Sequence, residues 1–273
     1  MTEILKAALF GIVEGITEWL PISSTGHLIL LKEFIDLNVS KEFWSMFEVV
    51  IQLGAILAVV VIFWKKLWPF SIKEKFFIKQ ETLIMWLKIL VSCVPAALVA
   101  IILGDKIEEL FYNYWVIALA LIVFGVAFIV IENRNRHAAV RIKSLSQITF
   151  QAALIIGVFQ LVAAVFPGTS RSGATILGAI LIGVSRSVAA EYTFFLAVPV
   201  MFGASLIKLL GFGLNFTGME MAILLTGMIV AFLVSLFVIR FLMGYIKKHD
   251  FKVFGWYRIV LGIAVILYFS FIH

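Results

Sequence analysis

Residues 11–27 have the sequence GIVEGITEWLPISSTGH, an apolar helical pattern that is broken at a proline and a run of serine, threonine and glycine. Lipid offers no water to a broken backbone, so such a break at membrane depth must line a cavity or pack inside protein. The apolar stretch 1–31 therefore predicts a re-entrant helical hairpin, which enters and leaves the membrane on the same side.

A second stretch repeats this pattern. Residues 157–167 (GVFQLVAAVFP) have the same glycine-to-proline spacing as residues 11–21, and a Ser/Thr/Gly turn follows each proline. Residues 47–55 (FEVVIQLGA) also align with residues 196–204 (LAVPVMFGA). We therefore predict a second re-entrant hairpin over 148–184, and two internal repeats within a single transmembrane domain. The repeats span residues 1–133 and 148–273 of the domain 1–273.

The composition indicates that most of the chain lies in lipid. Hydrophobic residues make up 63% of the 273 residues and charged residues 14%, and the mean hydropathy is +1.12, which excludes an ordinary soluble domain. A span needs roughly 20 apolar residues. The prediction is an all-α polytopic membrane protein with about six transmembrane helices plus the two hairpins, the spans lying at 43–64, 83–103, 114–132, 190–211, 219–243 and 254–272.

The net charge of +6 is explained by membrane orientation rather than by nucleic-acid binding. Lys and Arg are concentrated in the loops 65–79, 133–147 and 247–252, which the positive-inside rule places in the cytoplasm. The two triplets of spans then run in opposite directions. This pattern predicts an inverted-topology repeat, in which the hairpin tips meet near the membrane midplane.

Glu14 and Glu18 are the first candidates for chemistry. They are four residues apart, so a helix places both carboxylates on one face. Two like charges in an apolar environment need a cation or a proton between them. The pair therefore predicts a divalent metal site or a shared proton, unless both residues face water near the start of the chain.

The turn after Pro21 adds three hydroxyl groups, from Ser23, Ser24 and Thr25, and the imidazole of His27. Histidine can serve as acid, base or nucleophile, and a serine hydroxyl can be activated by a neighbouring base. Taken alone, the segment would equally suit a helix cap with a structural histidine. Its position beside the paired glutamates favours a catalytic role.

The second hairpin carries an anion-binding pattern, PGTSRSGAT over residues 167–175. Arg171 lies among hydroxyl groups and backbone N–H groups, such as that of Gly173, at a predicted helix start. In such apolar surroundings the arginine needs a negative partner, either a glutamate of the first hairpin or a substrate phosphate.

Three further polar residues are predicted to lie at or around the site, where Glu48 and Gln52 would either contact the reacting groups directly or pack around them. Glu48 and Gln52 are four residues apart on one predicted span, and Gln160 occupies the repeat position of Glu14. Polar groups at membrane depth are costly, so they are expected to pack against the charged residues rather than face lipid.

Three segments resemble a known family. EGITEWLPISSTGH (14–27), FEVVIQLGAILAVVVIFW (47–64) and PGTSRSGATI (167–176) are similar to bacterial undecaprenyl-pyrophosphate phosphatases of the bacitracin-resistance type. The resemblance implies a hydrolase of the bacterial inner membrane that removes the terminal phosphate of undecaprenyl diphosphate and recycles the lipid carrier for peptidoglycan synthesis. It also implies an outward-facing site.

The same resemblance implies roles for the site residues. Glu14 and Glu18 would hold a divalent cation, Mg²⁺ or Ca²⁺. Arg171 would bind the diphosphate together with the neighbouring polar residues Ser170, Ser172, Gly173 and Thr175, and with Ser23 and Thr25 of the first hairpin. The nucleophile stays open between Ser24, His27 and a metal-bound water.

A different class of function is compatible with the same architecture. Inverted repeats with broken helices that meet at the midplane are typical of transporters, so a lipid-phosphate transporter or flippase is the alternative. The convergence of acids, hydroxyls, a histidine and an arginine favours the enzyme. The sequence leaves the oligomeric state open, with a homodimer as one option.

Overall fold

The computed structural model describes residues 2–71, 77–136, 139–213 and 215–272, without the side chains of Asp105, Glu108 and Ile272. The predicted cytoplasmic loops 65–79 and 133–147 thus lie partly outside the described residues.

Six of the described helices are long and apolar enough to cross a membrane, as predicted. No strand occurs among the described residues, where only two isolated β-bridges are found. The predicted all-α polytopic class is therefore confirmed. The long helices are α3 (Lys41–Ile62), α5 (Gln80–Phe111), α6 (Tyr114–Asn135), α9 (Arg186–Phe212), α10 (Gly218–Tyr245) and α11 (Lys252–Ile272), and a single turn, α4 (Trp64–Leu67), follows α3.

Four shorter helices form the two hairpins where the sequence predicted them. The first pair is α1 (Glu3–Thr17) with α2 (Ser24–Phe34), and the second is α7 (Phe150–Val165) with α8 (Arg171–Leu181). Their lengths of 15, 11, 16 and 11 residues are below the roughly 20 residues of a full span. Each hairpin therefore ends inside the molecule.

Each hairpin helix begins at a hydroxyl cap. The side chains of Thr2, Ser23, Thr149 and Ser170 accept hydrogen bonds from backbone N–H groups of the first turns of α1, α2, α7 and α8. Such caps satisfy N–H groups that lack a partner within the helix. The hydroxyl-rich turns in the sequence thus fix where α2 and α8 start.

The helix contacts of the first hairpin are matched by those of the second. Helix α1 packs on α10 and α7 packs on α5, while α3 contacts α9 and α6 contacts α11. Glycines allow these close approaches: a Cβ added at Gly11 would lie 2.5 Å from the Gly227 carbonyl oxygen, and one at Gly157 would lie 2.6 Å from the Ser92 carbonyl oxygen. This is the packing expected of two repeats. The inverted repeat itself stays a prediction.

The predicted cytoplasmic loops meet at one end of the helices. Lys66 pairs with Glu191 at 2.5 Å, Arg186 pairs with Glu132, and Lys252 Nζ lies 3.4 Å from Asn133 Oδ1. At the other end, Lys6 Nζ donates to the Asp36 carbonyl at 2.6 Å. Helix α1 starts at this second end and α7 at the first, so the tips of the hairpins meet in the interior.

Candidate active site

Glu18 connects the two hairpin tips. Its Oε1 accepts a hydrogen bond from Arg171 Nη2 at 2.5 Å, and its Oε2 accepts one from Ser24 Oγ at 2.6 Å. The glutamate is buried, with 6% of its surface exposed. Charge-assisted bonds of this length are the strong ones in proteins. One carboxylate thus holds both a hydroxyl group and an arginine, brought together from distant parts of the chain.

Ser24 and Arg171 occupy equivalent positions. Ser24 is the first residue of α2 and Arg171 the first of α8, and the preceding caps, Ser23 and Ser170, have φ of 76° and 69°. Residues other than glycine rarely adopt a positive φ, and such strain is concentrated at functional sites. The positive ends of two helix dipoles therefore lie beside the Glu18 carboxylate.

The remaining polar residues of the second tip fix Arg171 and the turn. Arg171 Nη1 donates to the Thr193 carbonyl of α9 at 3.3 Å. Ser172 Oγ donates to the Glu18 carbonyl at 3.1 Å, and so ties α8 to the first hairpin. Thr175 Oγ1 lies 2.9 Å from Thr193 Oγ1, on the side of α9. Ser172 and Thr175 therefore make bonds within the protein, whereas Arg171 reaches the site.

A small polar cavity of about 160 Å³ surrounds these groups. It adjoins a larger open groove of about 940 Å³ between α3, α5 and α9, and Tyr112, Ala164 and Ala204 line both. The polar cavity therefore opens towards an apolar surface. Its polar lining consists of Glu18, Ser23, Ser24, Thr25, Gln52, Tyr112, Ser170 and Arg171.

Glu14 is a buried carboxylate without a hydrogen-bond partner among the described residues. None of its surface is exposed, neither carboxylate oxygen accepts a hydrogen bond from the described residues, and the charges of Glu18, Glu48 and Arg171 act on it. Burying a carboxylate without a partner is costly. The two unsatisfied oxygens of Glu14 would therefore bind a proton or a cation.

The donor set fits a hard divalent cation. Mg²⁺ is commonly bound by one or two carboxylates together with substrate phosphates, and Glu14 and Glu18 supply that number. Glu18 retains acceptor capacity, because a carboxylate has about four lone-pair sites and the bonds to Arg171 and Ser24 use two. Within the described residues no group of three or more His, Cys, Asp or Glu side chains forms a metal cluster. Further ligands would thus have to come from hydroxyls, water or substrate.

His27 is placed away from the reacting groups. Its Nδ1 lies 2.7 Å from the Ser23 carbonyl and its Nε2 lies 2.7 Å from Tyr257 Oη. The two rings are stacked, with their centroids 5.6 Å apart. The imidazole lines a separate apolar cavity between α1 and α11. The structure therefore brings Ser24, but not His27, onto Glu18.

Of the three further polar residues predicted at or around the site, two lie at the site and one does not. Gln52 lines the polar cavity and donates to the Glu48 carbonyl at 3.4 Å, and the Glu48 charge acts on Glu14. Gln160 instead donates to the Ser92 carbonyl of α5 at 3.3 Å. Glu48 and Gln52 thus belong to the site, while Gln160 belongs to the packing of α7.

Sequence reasoning missed two residues of α11, Tyr257 and Arg258. Tyr257 contacts His27, and the fully buried Arg258 donates to backbone carbonyls of both hairpin tips. The signal was present, because an arginine within a predicted apolar span is by default a candidate for function.

Comparison with known proteins finds a matching family and close relatives over nearly the whole chain. Residues 7–264 match the family model described as "Bacitracin resistance protein BacA". The undecaprenyl-diphosphatase of Desulfitobacterium hafniense is 64% identical over 99% of this chain and 97% of its own length. Undecaprenyl-diphosphatase 1 of Clostridium acetobutylicum is 63% identical over 98% and 97%, respectively, and the undecaprenyl-diphosphatase of Acetivibrio thermocellus is 60% identical over 98% of each chain. The chain therefore belongs to the bacitracin resistance protein BacA family.

Proposed function

We propose that this protein is an undecaprenyl-diphosphate phosphatase, which hydrolyses undecaprenyl diphosphate to undecaprenyl phosphate and phosphate. The observation that carries the proposal is the Glu18 carboxylate, which holds Ser24 Oγ and Arg171 Nη2 in one cavity. The names of the relatives agree with this chemistry. The reaction returns the lipid carrier to peptidoglycan synthesis and confers resistance to bacitracin.

The residues of the cavity supply a nucleophile, a base and an anion site. Arg171 binds the terminal phosphate through its guanidinium. Ser24 Oγ, 2.6 Å from Glu18, gives its proton to the carboxylate and attacks the terminal phosphorus. The new Oγ–P bond forms as the bond to the bridging oxygen breaks, and undecaprenyl phosphate leaves. Water then hydrolyses the phosphoserine. Direct attack by water in the same place is the alternative.

Glu14 and Glu18 would hold a divalent cation, Mg²⁺ or Ca²⁺. When bound, it would offset the phosphate charge and stabilise the charge that develops on the leaving oxygen. The support for this is the carboxylate of Glu14, which is buried and unsatisfied and on which the negative charges of Glu18 and Glu48 act.

The prenyl chain is proposed to lie in the groove beside the cavity. The support for this is that apolar side chains such as Met46, Ile107 and Phe212 line the groove, and that the groove shares lining residues with the cavity. Apolar burial of the tail contributes about 0.8 kcal/mol per CH₂, so long substrates are expected to bind best.

A tryptophan at Gly104 should therefore discriminate between substrates by length. Gly104 lines the groove, and a Cβ there meets no atom within 4 Å. We expect Gly104→Trp to lower kcat/KM for undecaprenyl diphosphate about tenfold or more while hydrolysis of farnesyl diphosphate is retained. Gly244→Trp is the control, since Gly244 is equally open but lies on α10 outside the groove. Equal losses on both substrates would contradict the tail site.

The proposed function is tested by phosphate release from undecaprenyl diphosphate in detergent. Release by the wild type should stop on addition of a chelator and resume with Mg²⁺ or Ca²⁺. The variant Glu14→Gln should show almost no release, because it removes a carboxylate from the proposed cation site. A folded wild-type protein that releases no phosphate with any metal would instead support the alternative function, a lipid-phosphate transporter or flippase.

Phosphate release from sealed membrane vesicles tests the side of the membrane on which the site opens. We propose an inner-membrane protein with an outward-facing site, supported by the basic loops at the end opposite the start of α1. Right-side-out vesicles should then hydrolyse water-soluble short-chain diphosphate added from outside. Hydrolysis only by inverted vesicles would overturn the orientation.

A further inference from the structure

Arg258 is a buried cation held mainly by backbone carbonyls. It lies on α11 with none of its surface exposed. Its Nη1 donates to the Pro21 carbonyl at 3.2 Å and its Nη2 to the Gly168 carbonyl at 3.0 Å. Weaker bonds reach the Ala120 and Leu121 carbonyls of α6 at 3.4 and 3.5 Å. None of the ion pairs found among the described residues includes Arg258.

The two main acceptors lie in the two hairpin tips. Pro21 lies between Glu18 and Ser24, and Gly168 lies three residues before Arg171. The planar guanidinium fork has donors at fixed angles, so bonding to both carbonyls fixes the distance between the tips. The first turn of α8 also touches this group, since a Cβ added at Gly173 would lie 3.1 Å from Arg258 Nη1.

The free-energy cost of burying this cation indicates that Arg258 has a role beyond packing. A charge buried without an acidic partner is among the more expensive features of a protein interior. Carbonyl dipoles of both tips offset part of this cost, and they do so only while the tips stay in their present arrangement. A shift of either tip would break one of the two shorter hydrogen bonds of the guanidinium, so Arg258 opposes that shift.

We propose that Arg258 is a positioning residue for the reaction, which sets the nucleophile tip with Ser24 and Glu18 against the phosphate-binding tip with Arg171. This inference rests on the proposed function. Arg258 touches neither reacting group in the structure. It acts through the carbonyls of Pro21 and Gly168. A misplacement of about 1 Å at a reacting centre is enough to cost roughly 10²-fold in rate.

The test separates kcat from KM in Arg258→Met, with farnesyl diphosphate as substrate and one metal concentration throughout. Arg171 is also held by the Thr193 carbonyl of α9, so phosphate binding should persist and KM should change by less than about threefold. The rate of the chemical step should fall about 10²-fold, because Ser24 is no longer aligned with the bound phosphate. Arg258→Lys retains the charge, and its side chain can reach one tip. Its kcat should therefore lie between that of the wild type and that of Arg258→Met.

Lys88→Met is the matched control. Lys88 is also a buried cation that donates to a backbone carbonyl, that of Ser146 at 3.2 Å, but it lies on α5 near the basic loops. Its loss should lower the melting temperature and leave kcat per folded molecule unchanged. Melting temperature and gel-filtration profile are measured for every variant.

The outcomes are distinct. Arg258→Met that folds and retains kcat within about threefold of the wild type overturns the inference while the proposed function stands. If Arg258→Met does not fold, Arg258→Lys decides: a folded lysine variant with wild-type kcat overturns the inference, and one with reduced kcat and unchanged KM supports it. An inactive wild type would instead remove the proposed function.

Discussion

Replacing Glu18 with glutamine is expected to lower kcat for phosphate release by about three orders of magnitude or more. The amide has one acceptor oxygen in place of two, so it cannot bond Ser24 and Arg171 together as the carboxylate does. It also cannot take the Ser24 proton. Steady-state phosphate release from undecaprenyl diphosphate, normalised to folded protein, measures the effect.

Glu191→Gln is the control for that result. Glu191 is also a buried glutamate in an ion pair, with Lys66, but it lies near the start of α9 at the opposite end of that helix from the groove. The same isosteric change there should leave kcat unaltered. If Glu18→Gln kept more than about a tenth of wild-type kcat, a base role for Glu18 would be untenable.

Replacing Ser24 with alanine is expected to remove at least about 10³-fold of the activity if its hydroxyl is the nucleophile. Acid quenching of the wild type during turnover should then trap phosphate on Ser24, which mass spectrometry of the peptide detects. The buried serine Ser205, whose Oγ donates to the Val49 carbonyl at 3.2 Å, provides the control in Ser205→Ala.

Two findings would exclude Ser24 as the nucleophile. One is a Ser24→Ala variant with a substantial fraction of wild-type kcat, and the other is the absence of trapped phosphate under conditions of fast turnover. Water would then be the attacking group, with Glu18 as its base. Direct attack by His27 would require its imidazole to leave Tyr257, because both ring nitrogens are engaged in the structure.

The fold was predictable because lipid imposes strict rules. Span lengths follow from bilayer thickness, and Pro21 and Pro167 mark where helices must break. The hydroxyl caps at Ser23 and Ser170 were readable as turn chemistry. These are local properties, and each is visible within a few residues of the sequence.

The choice among partners was not predictable in this way. The sequence left both Glu14 and Glu18 as possible partners of Arg171, and the structure pairs Arg171 with Glu18. His27 lies four residues from Ser23, so its imidazole bonds back to that carbonyl and then reaches Tyr257 on a distant helix. Contacts of this kind depend on tertiary packing, which spacing along the chain does not encode.

The ion pair between Glu18 and Arg171 also has a consequence for biosynthesis. The two residues are 153 positions apart, which at roughly 5–20 residues per second corresponds to about 8–30 s of translation. During that interval the first hairpin has no arginine for its buried carboxylate, and an unpaired charge is costly in lipid. We expect the nascent hairpin to remain shallowly inserted, and to reach its final depth only when the second hairpin arrives.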